Sequence, residues 1–299
     1  MSASVLLQTL IREHDDDPHA AVERLRELAA AAAELDADQL ASLSWLINHL
    51  QGEILGDWPA AWSLQSRLPS AEPSSKQLRN QAVAADLAGV APAAQDLGRR
   101  LAEALSVSPS HADLAIELAA LQHQAPGLEA AAAYQRLRSL LPTAATVDAS
   151  AADAMLAAAL SNVLSGLLER AELALDAPDA AALRQGAALA RQLWERAGTW
   201  LQQERACYLQ ALVANQQEEW AEARNWARQG LELIAAHGEE AVDQAFLLLE
   251  LARACGRLEL REAAEQARAQ AQALADGFEV AGLKTWFAQR AAVLEPAQA

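Results

Sequence analysis

Very little in this sequence favours a β-sheet. No segment alternates apolar and polar side chains for long enough to make a strand, and aromatics are only 4% of the residues. Apolar residues nonetheless reach 53%. That content is carried by Ala and Leu, which lose little rotamer freedom in a helix. Cysteine is nearly absent as well. Cys207 and Cys255 form no C-x-x-C pair and have no metal-ligand spacing around them, which leaves them as small apolar residues suited to a reducing compartment. No uninterrupted apolar run reaches the ~18 residues that a membrane span needs. The first residues, MSASVLLQTLIREHDDD, lack the basic start and apolar length of a secretion signal. A cytoplasmic protein with no membrane contact is the expectation. Cations are also few: 23 Lys and Arg against 40 Asp and Glu give a net charge of −17. The acidic residues are spread along the whole chain. Such a surface repels nucleic-acid backbones and anionic headgroups, so no nucleic-acid partner is expected, and a basic protein partner is easier to accommodate.

Signatures of catalysis are missing too. There is no phosphate-cradling Gly-rich loop, no G-x-S-x-G elbow and no H-E-x-x-H helix. The most suggestive group is Glu13, His14, Asp15, Asp16, Asp17, Pro18 and His19. Imidazoles and carboxylates together suit a divalent cation. The same residues also read as an acidic turn in which Asp17 caps a helix opened by Pro18. His49, His111, His123 and His237 are isolated along the chain, and His49 reads as a packing residue. The expectation is a protein that is not an enzyme, with no metal and no cofactor.

What the sequence does contain is helix after helix. Stretches at about 3–13, 18–35, 38–55, 57–68, 74–88, 91–106, 110–124, 127–141, 148–175, 178–197, 199–217, 219–236, 239–256, 259–275 and 278–293 are punctuated by Gly, Pro, Asp or Ser. Ser108-Pro109, Asp57 and Asp176 serve as further helix starts, while Gly198, Gly238, Gly256 and Gly277 fall where a left-handed C-terminal residue is expected. The joins are short, so neighbouring helices run antiparallel.

Residues 204–237 place Cys207, Ala211 and Ala214 on one helix, then Trp220, Ala223, Ala227 and Gly230 on the next. Residues 42–75 place Trp45, Gly56, Trp58 and Ala61 in a similar order, and 75–108, 112–145 and 245–277 follow more loosely. Small side chains are what two helices need where they cross closely. This grammar resembles the tetratricopeptide repeat (TPR), with coverage over most of residues 38–277. Ala61 to Ala94 is one short period; Ala182 to Ala223 and Ala223 to Ala264 are longer, and resemble the repeats of bacterial MalT-like regulators. The resemblance implies an all-α, right-handed superhelix of antiparallel hairpins with 13–15 helices. The turn-prone stretch 142–152 divides it into halves 1–145 and 146–299, or joins them as one continuous solenoid.

The resemblance also implies a groove lined by the first helix of each repeat. On its register Leu43, Leu46, Leu50, Glu53 and Ile54 face inward, as do Lys76 and Arg79, and Arg205, Tyr208, Leu212, Asn215 and Gln216. Lys76, Arg79, Arg99 and Arg100 are the clustered cations of the first half and form a candidate patch for an acidic partner segment. Trp58 takes the packing position of its repeat, whereas Trp62 has no counterpart there and is a candidate partner residue. Val280, Leu283, Phe287 and Leu294 make one apolar stripe on a terminal helix that would cap the array. The leading functional expectation is an adaptor or scaffold that binds a peptide or helix of another protein. A chaperone for a secreted or assembling subunit, and a regulatory or sensory TPR module acting through a partner, are the alternatives.

Overall fold

The computed structural model describes residues 2–14, 16–69, 72–170 and 175–293. Among these residues fifteen α-helices account for nearly all the regular structure, and no strand is present. The chain divides into two compact units: Met1–Leu128 with Thr146–Ala152, and Glu129–Ala145 with Asp153–Ala299. Both are stacks of helical hairpins, so the architecture is an all-α helical-repeat solenoid. No helix among the described residues is long and apolar enough to cross a membrane.

The first unit contains α1 (Ala3–Glu13), α2 (Pro18–Ala30), α3 (Ala37–Ile47), α4 (Trp58–Gln65), α5 (Ser75–Leu87), α6 (Ala91–Leu105) and α7 (Pro109–Gln124). Short polar side chains start most of them. Asp17 accepts from the Ala20 amide at 3.0 Å, Asp57 from that of Ala60 at 3.0 Å, and Ser74 from that of Gln77 at 3.2 Å. Each satisfies one of the amides that a helix start leaves open. Two of the expected stretches are shorter as α-helices. The second ends at Ala30, and Ala32–Glu34 form a 3₁₀ turn before the Asp36 cap. The core of this unit is leucine-rich: Leu7, Leu10, Leu25, Leu28, Leu43, Leu46, Ile47 and Leu50 are fully enclosed. Each such side chain contributes about 1.5–3 kcal/mol.

The second unit contains α8 (Ala130–Ala144), α9 (Asp153–Glu169), α10 (Ala177–Ala197), α11 (Trp200–Gln216), α12 (Trp220–His237), α13 (Ala241–Arg257), α14 (Arg261–Asp276) and α15 (Ala281–Val293). The stretch expected as a helix over 148–175 begins only at Asp153, because the Ser150 side chain takes the Ala152 amide into a turn first. Residues 171–174 of that stretch lie outside the described residues. Helix α8 belongs with this unit: it packs on α10, and Arg138 pairs with Asp179. Here the helices approach closely over Ala and Gly. A Cβ on Gly230 would meet Leu247 at 2.8 Å and Cys207 at 3.3 Å, so nothing larger fits where α12 crosses α11 and α13.

The turns mark the repeats. Left-handed backbone occurs at Gly56 and Gly89 in the first unit and at Glu218 and Glu259 in the second, with one further case at Ser106. Gly198, Gly238 and Gly277, expected to be left-handed, are not: their φ angles are −96°, 169° and −82°. Gly256 lies within α13. The turn after α13 comes three residues beyond Gly256, at Glu259, and the turn after α11 falls at Glu218, where no glycine stands; the second unit uses glutamates in the αL conformation.

The last helix closes the stack in part as expected. Phe287 is buried and Leu283 half-buried, but Val280 is 59% exposed; Leu294 lies outside the described residues. The seal is also electrostatic. Arg290 reaches the buried Glu250 at 3.0 Å, and Trp286 rests on Phe246 with ring centroids 4.2 Å apart.

Candidate functional site

Helix α3 does not end at Ile47. It continues as a π-helix over Asn48–Ile54, in which the Leu55 amide donates to the Leu50 carbonyl at 3.1 Å. The wider turn rotates later side chains off the α-helical register. Trp45, His49 and Glu53 follow one another at four-residue steps along this segment. His49 lies flat on Trp45, with centroids 5.2 Å apart and planes 7° from parallel. His14, at the end of α1, meets both edge-on, at 5.8 Å from Trp45 and 5.1 Å from His49. Trp45 remains 41% exposed, as does Ile54. Such half-open rings provide rigid contact area at small entropic cost.

Glu53 anchors the far end. Its Oε2 accepts from His49 Nδ1 at 3.0 Å and lies 3.3 Å from Nδ1 of His123, on α7. Trp58 tilts over His123 at 5.3 Å. A Cβ on Gly52 would lie only 2.5 Å from the Trp58 ring, so glycine is what lets that ring pack down. The imidazoles of His123 and His49 beside it hold the Glu53 carboxyl at about 2, against an ordinary 4.5. His123, isolated in the sequence, is therefore a working part of this group. Among the described residues no three His, Cys, Asp or Glu side chains converge to hold a metal ion. Asp15, in the early acidic cluster, lies outside the described residues.

The residues picked from the repeat register fare unevenly. Leu46 and Leu50, like Leu43, are fully buried in the first core and do not line an open groove. The reason is that α3 and its π-helical continuation are together enclosed by α1, α2, α4 and α5, so their leucines face inward on several sides. Ile54 is exposed as expected. The expected cationic patch is not one surface. Lys76 is exposed, but Arg79 is largely buried, donates to Asn80 Oδ1 at 3.0 Å, and has its pKa pulled down by burial. Arg99 pairs with Asp96 at 2.7 Å, and Arg100 is half-buried. Trp62 is half-buried and stands apart from the core cluster that Trp58 joins.

In the second unit Arg205 is exposed, and its Nε donates to Asp243 at 2.8 Å. Tyr208 is half-buried against Phe246 at 6.4 Å. Asn215 is fully buried and is not a groove residue: its amide donates to the Glu250 carbonyl at 3.0 Å and to Glu250 Oε2 at 2.8 Å, so it ties α11 to α13. Beside Arg205, Glu204 is completely enclosed and neither of its oxygens has a hydrogen-bond partner. Burial, with the Asp243 carboxylate next to it, pushes its carboxyl up to about 9.

The repeat register placed Glu53 on the groove face but took Trp45 as a repeat position and His49 as a packing residue, so the group they form was missed. The four-residue spacing of Trp, His and Glu was the available signal.

No protein-family model matches the chain, and no curated protein matches it in sequence. Two solved structures are similar in outline. BtubC (BKLC) from P. vanneervenii shares 11% identity over 93% of this chain and 91% of its own, with a TM-score of 0.45. RapI in its apo form shares 11% identity over 95% of this chain and 79% of its own, with a TM-score of 0.47. Likeness at this level carries no functional weight.

Proposed function

We propose that the protein is a non-enzymatic interaction module built from TPR-like hairpins, and that it binds another protein. The 41-residue spacing of Glu218 and Glu259 supports likening the second unit to the longer repeats of MalT-like regulators. The single observation that carries the reading is the exposed Trp45 ring, braced flat by His49 and edge-on by His14. The ring is held rigid by two imidazoles and left open, as interface anchors are. Ile54 continues the apolar surface at the other end of the π-helix.

The test is photo-crosslinking in the native cytosol. A benzophenone amino acid at position 45 is expected to give a discrete protein adduct. The same group at Glu103, exposed on α6, should give none. No adduct at 45, or the same adducts at both positions, would remove the platform as the binding surface.

A further inference from the structure

In the second unit a cleft between alternate helices occurs twice, and the two copies differ in their linings. The first lies between α10 and α12, is floored by α11, and measures about 220 Å³. Its charges are matched from within. Trp226 projects into it with Arg191 over the ring at 5.3 Å. Arg184 crosses to Glu219 at 3.2 Å, and Glu222 lines the same wall. The second lies between α12 and α14, is floored by α13, and measures about 300 Å³. At the positions of Glu219, Glu222 and Trp226 it has Leu260, Ala263 and Ala267. Ring and carboxylates are all gone.

The cations remain. Arg224 and Arg228 line the second cleft, no carboxylate does, and among the described residues neither guanidinium has an ion-pair partner. The Arg224 Nε is shut off from solvent without an acceptor. A buried donor without a partner is costly, and the Arg191 Nε of the first cleft is in the same position, so the contrast between the clefts lies in the missing carboxylates. The positive field reaches the floor: Arg224 and Arg228 both pull against the burial that raises the Cys255 thiol. On a chain of net charge −17, an unopposed arginine pair over an apolar floor is a local inversion of the surface.

We propose that the α12–α14 cleft docks an acidic, aromatic-bearing segment of a partner protein. That segment inserts the ring and the carboxylate which the α10–α12 cleft takes from its own chain. The spacing of Glu219, Glu222 and Trp226 supplies the pattern: two acids three residues apart, then a Trp four residues on, along one helical face. The site is independent of the Trp45 platform.

The test uses the full chain and a fluorescein-labelled, alanine-glutamine helical peptide carrying Glu, Glu and Trp at i, i+3 and i+7. Fluorescence anisotropy is expected to show saturable binding that weakens as salt rises. Arg228→Glu should weaken it at least tenfold; this residue is exposed, so an unchanged melting curve is expected alongside. Ala267→Trp, which puts a ring where Trp226 stands in the neighbouring cleft, should abolish it. Replacing the peptide's Trp with Ala should also cost at least tenfold. The proposal is overturned if the native chain does not bind the peptide, or if Arg228→Glu and Ala267→Trp bind it as the native chain does. It is equally overturned if inorganic phosphate saturates the arginine pair while the peptide does not. None of these results bears on crosslinking at position 45.

Discussion

Glu53 in the first unit and Glu204 in the second carry the same carboxyl group, and the fold moves their proton affinities in opposite directions. Glu53 faces two imidazoles at 3.0 and 3.3 Å and is held at about 2. Glu204 is enclosed beside the Asp243 carboxylate and, although the Arg205 guanidinium at 3.6 Å opposes this, is pushed up to about 9. The difference teaches that the partner decides. Neither position is signalled by charge along the chain, and Glu204 stands next to Arg205, as an ordinary surface pair would. At neutral pH the first unit holds a charge that binds His49 and His123 together, while the second holds a proton that the unfolded chain would release.

The comparison can be broken from either side. The largest effect is expected from Trp58→Ala, which removes the ring over His123 and leaves a cavity above Gly52. It should cost about 3–5 kcal/mol in denaturant unfolding and move the Glu53 titration, followed by NMR, back toward its ordinary range. Trp62→Ala should do neither, and equal losses from both would show that the two rings share one role. Glu204→Gln should instead stabilise the chain, by about 1–3 kcal/mol at pH 8. With a folded value near 9 and an unfolded value of 4.5, the folded state holds a proton that the unfolded state sheds. Native stability therefore falls as pH rises through that window, and the variant should flatten the fall. A variant that keeps the slope would show that the carboxyl is already ionised in the fold.

Glu53→Gln should act with the opposite sign, losing about 1 kcal/mol at pH 7 once solvent screening is allowed for. Because Glu53 is depressed from 4.5 to about 2, its stabilisation is complete above the unfolded value and disappears as pH falls through this range. The gap between native and variant should close there; a gap constant with pH would mean that the histidines contribute by packing alone. The smallest effect concerns the turns, where the units differ in the same spirit. The first uses Gly56 and Gly89 at φ 68° and 75°; the second holds Glu218 and Glu259 at φ 61°. Glu259→Gly relieves the crowding of a Cβ in that region and should add about 0.5–1 kcal/mol. Gly89→Ala should subtract a similar amount.

The fold was largely readable because its causes are local. Ala- and Leu-rich stretches with Asp or Ser at their starts specify helices without reference to anything distant. The periods read from Ala61 to Ala94 and from Ala223 to Ala264 reappear in the left-handed residues Gly56 to Gly89 and Glu218 to Glu259. The site was much less readable, because its causes are not local. Leu46 and Leu50 became core when α1, α2, α4 and α5 surrounded α3 and its π-helical continuation. His123 came to Glu53 from α7. Within the π-helix over Asn48–Ile54, Trp58 settles onto Gly52, a contact that no propensity expresses.

In the second unit, Glu218 and Glu259 stand one repeat apart with the same backbone geometry. Chain length there is therefore counted in whole hairpins. Duplicating or excising a 41-residue segment gives every remaining helix a neighbour of the shape it already meets. A three-residue insertion inside α12 or α13 turns a helix away from its seat.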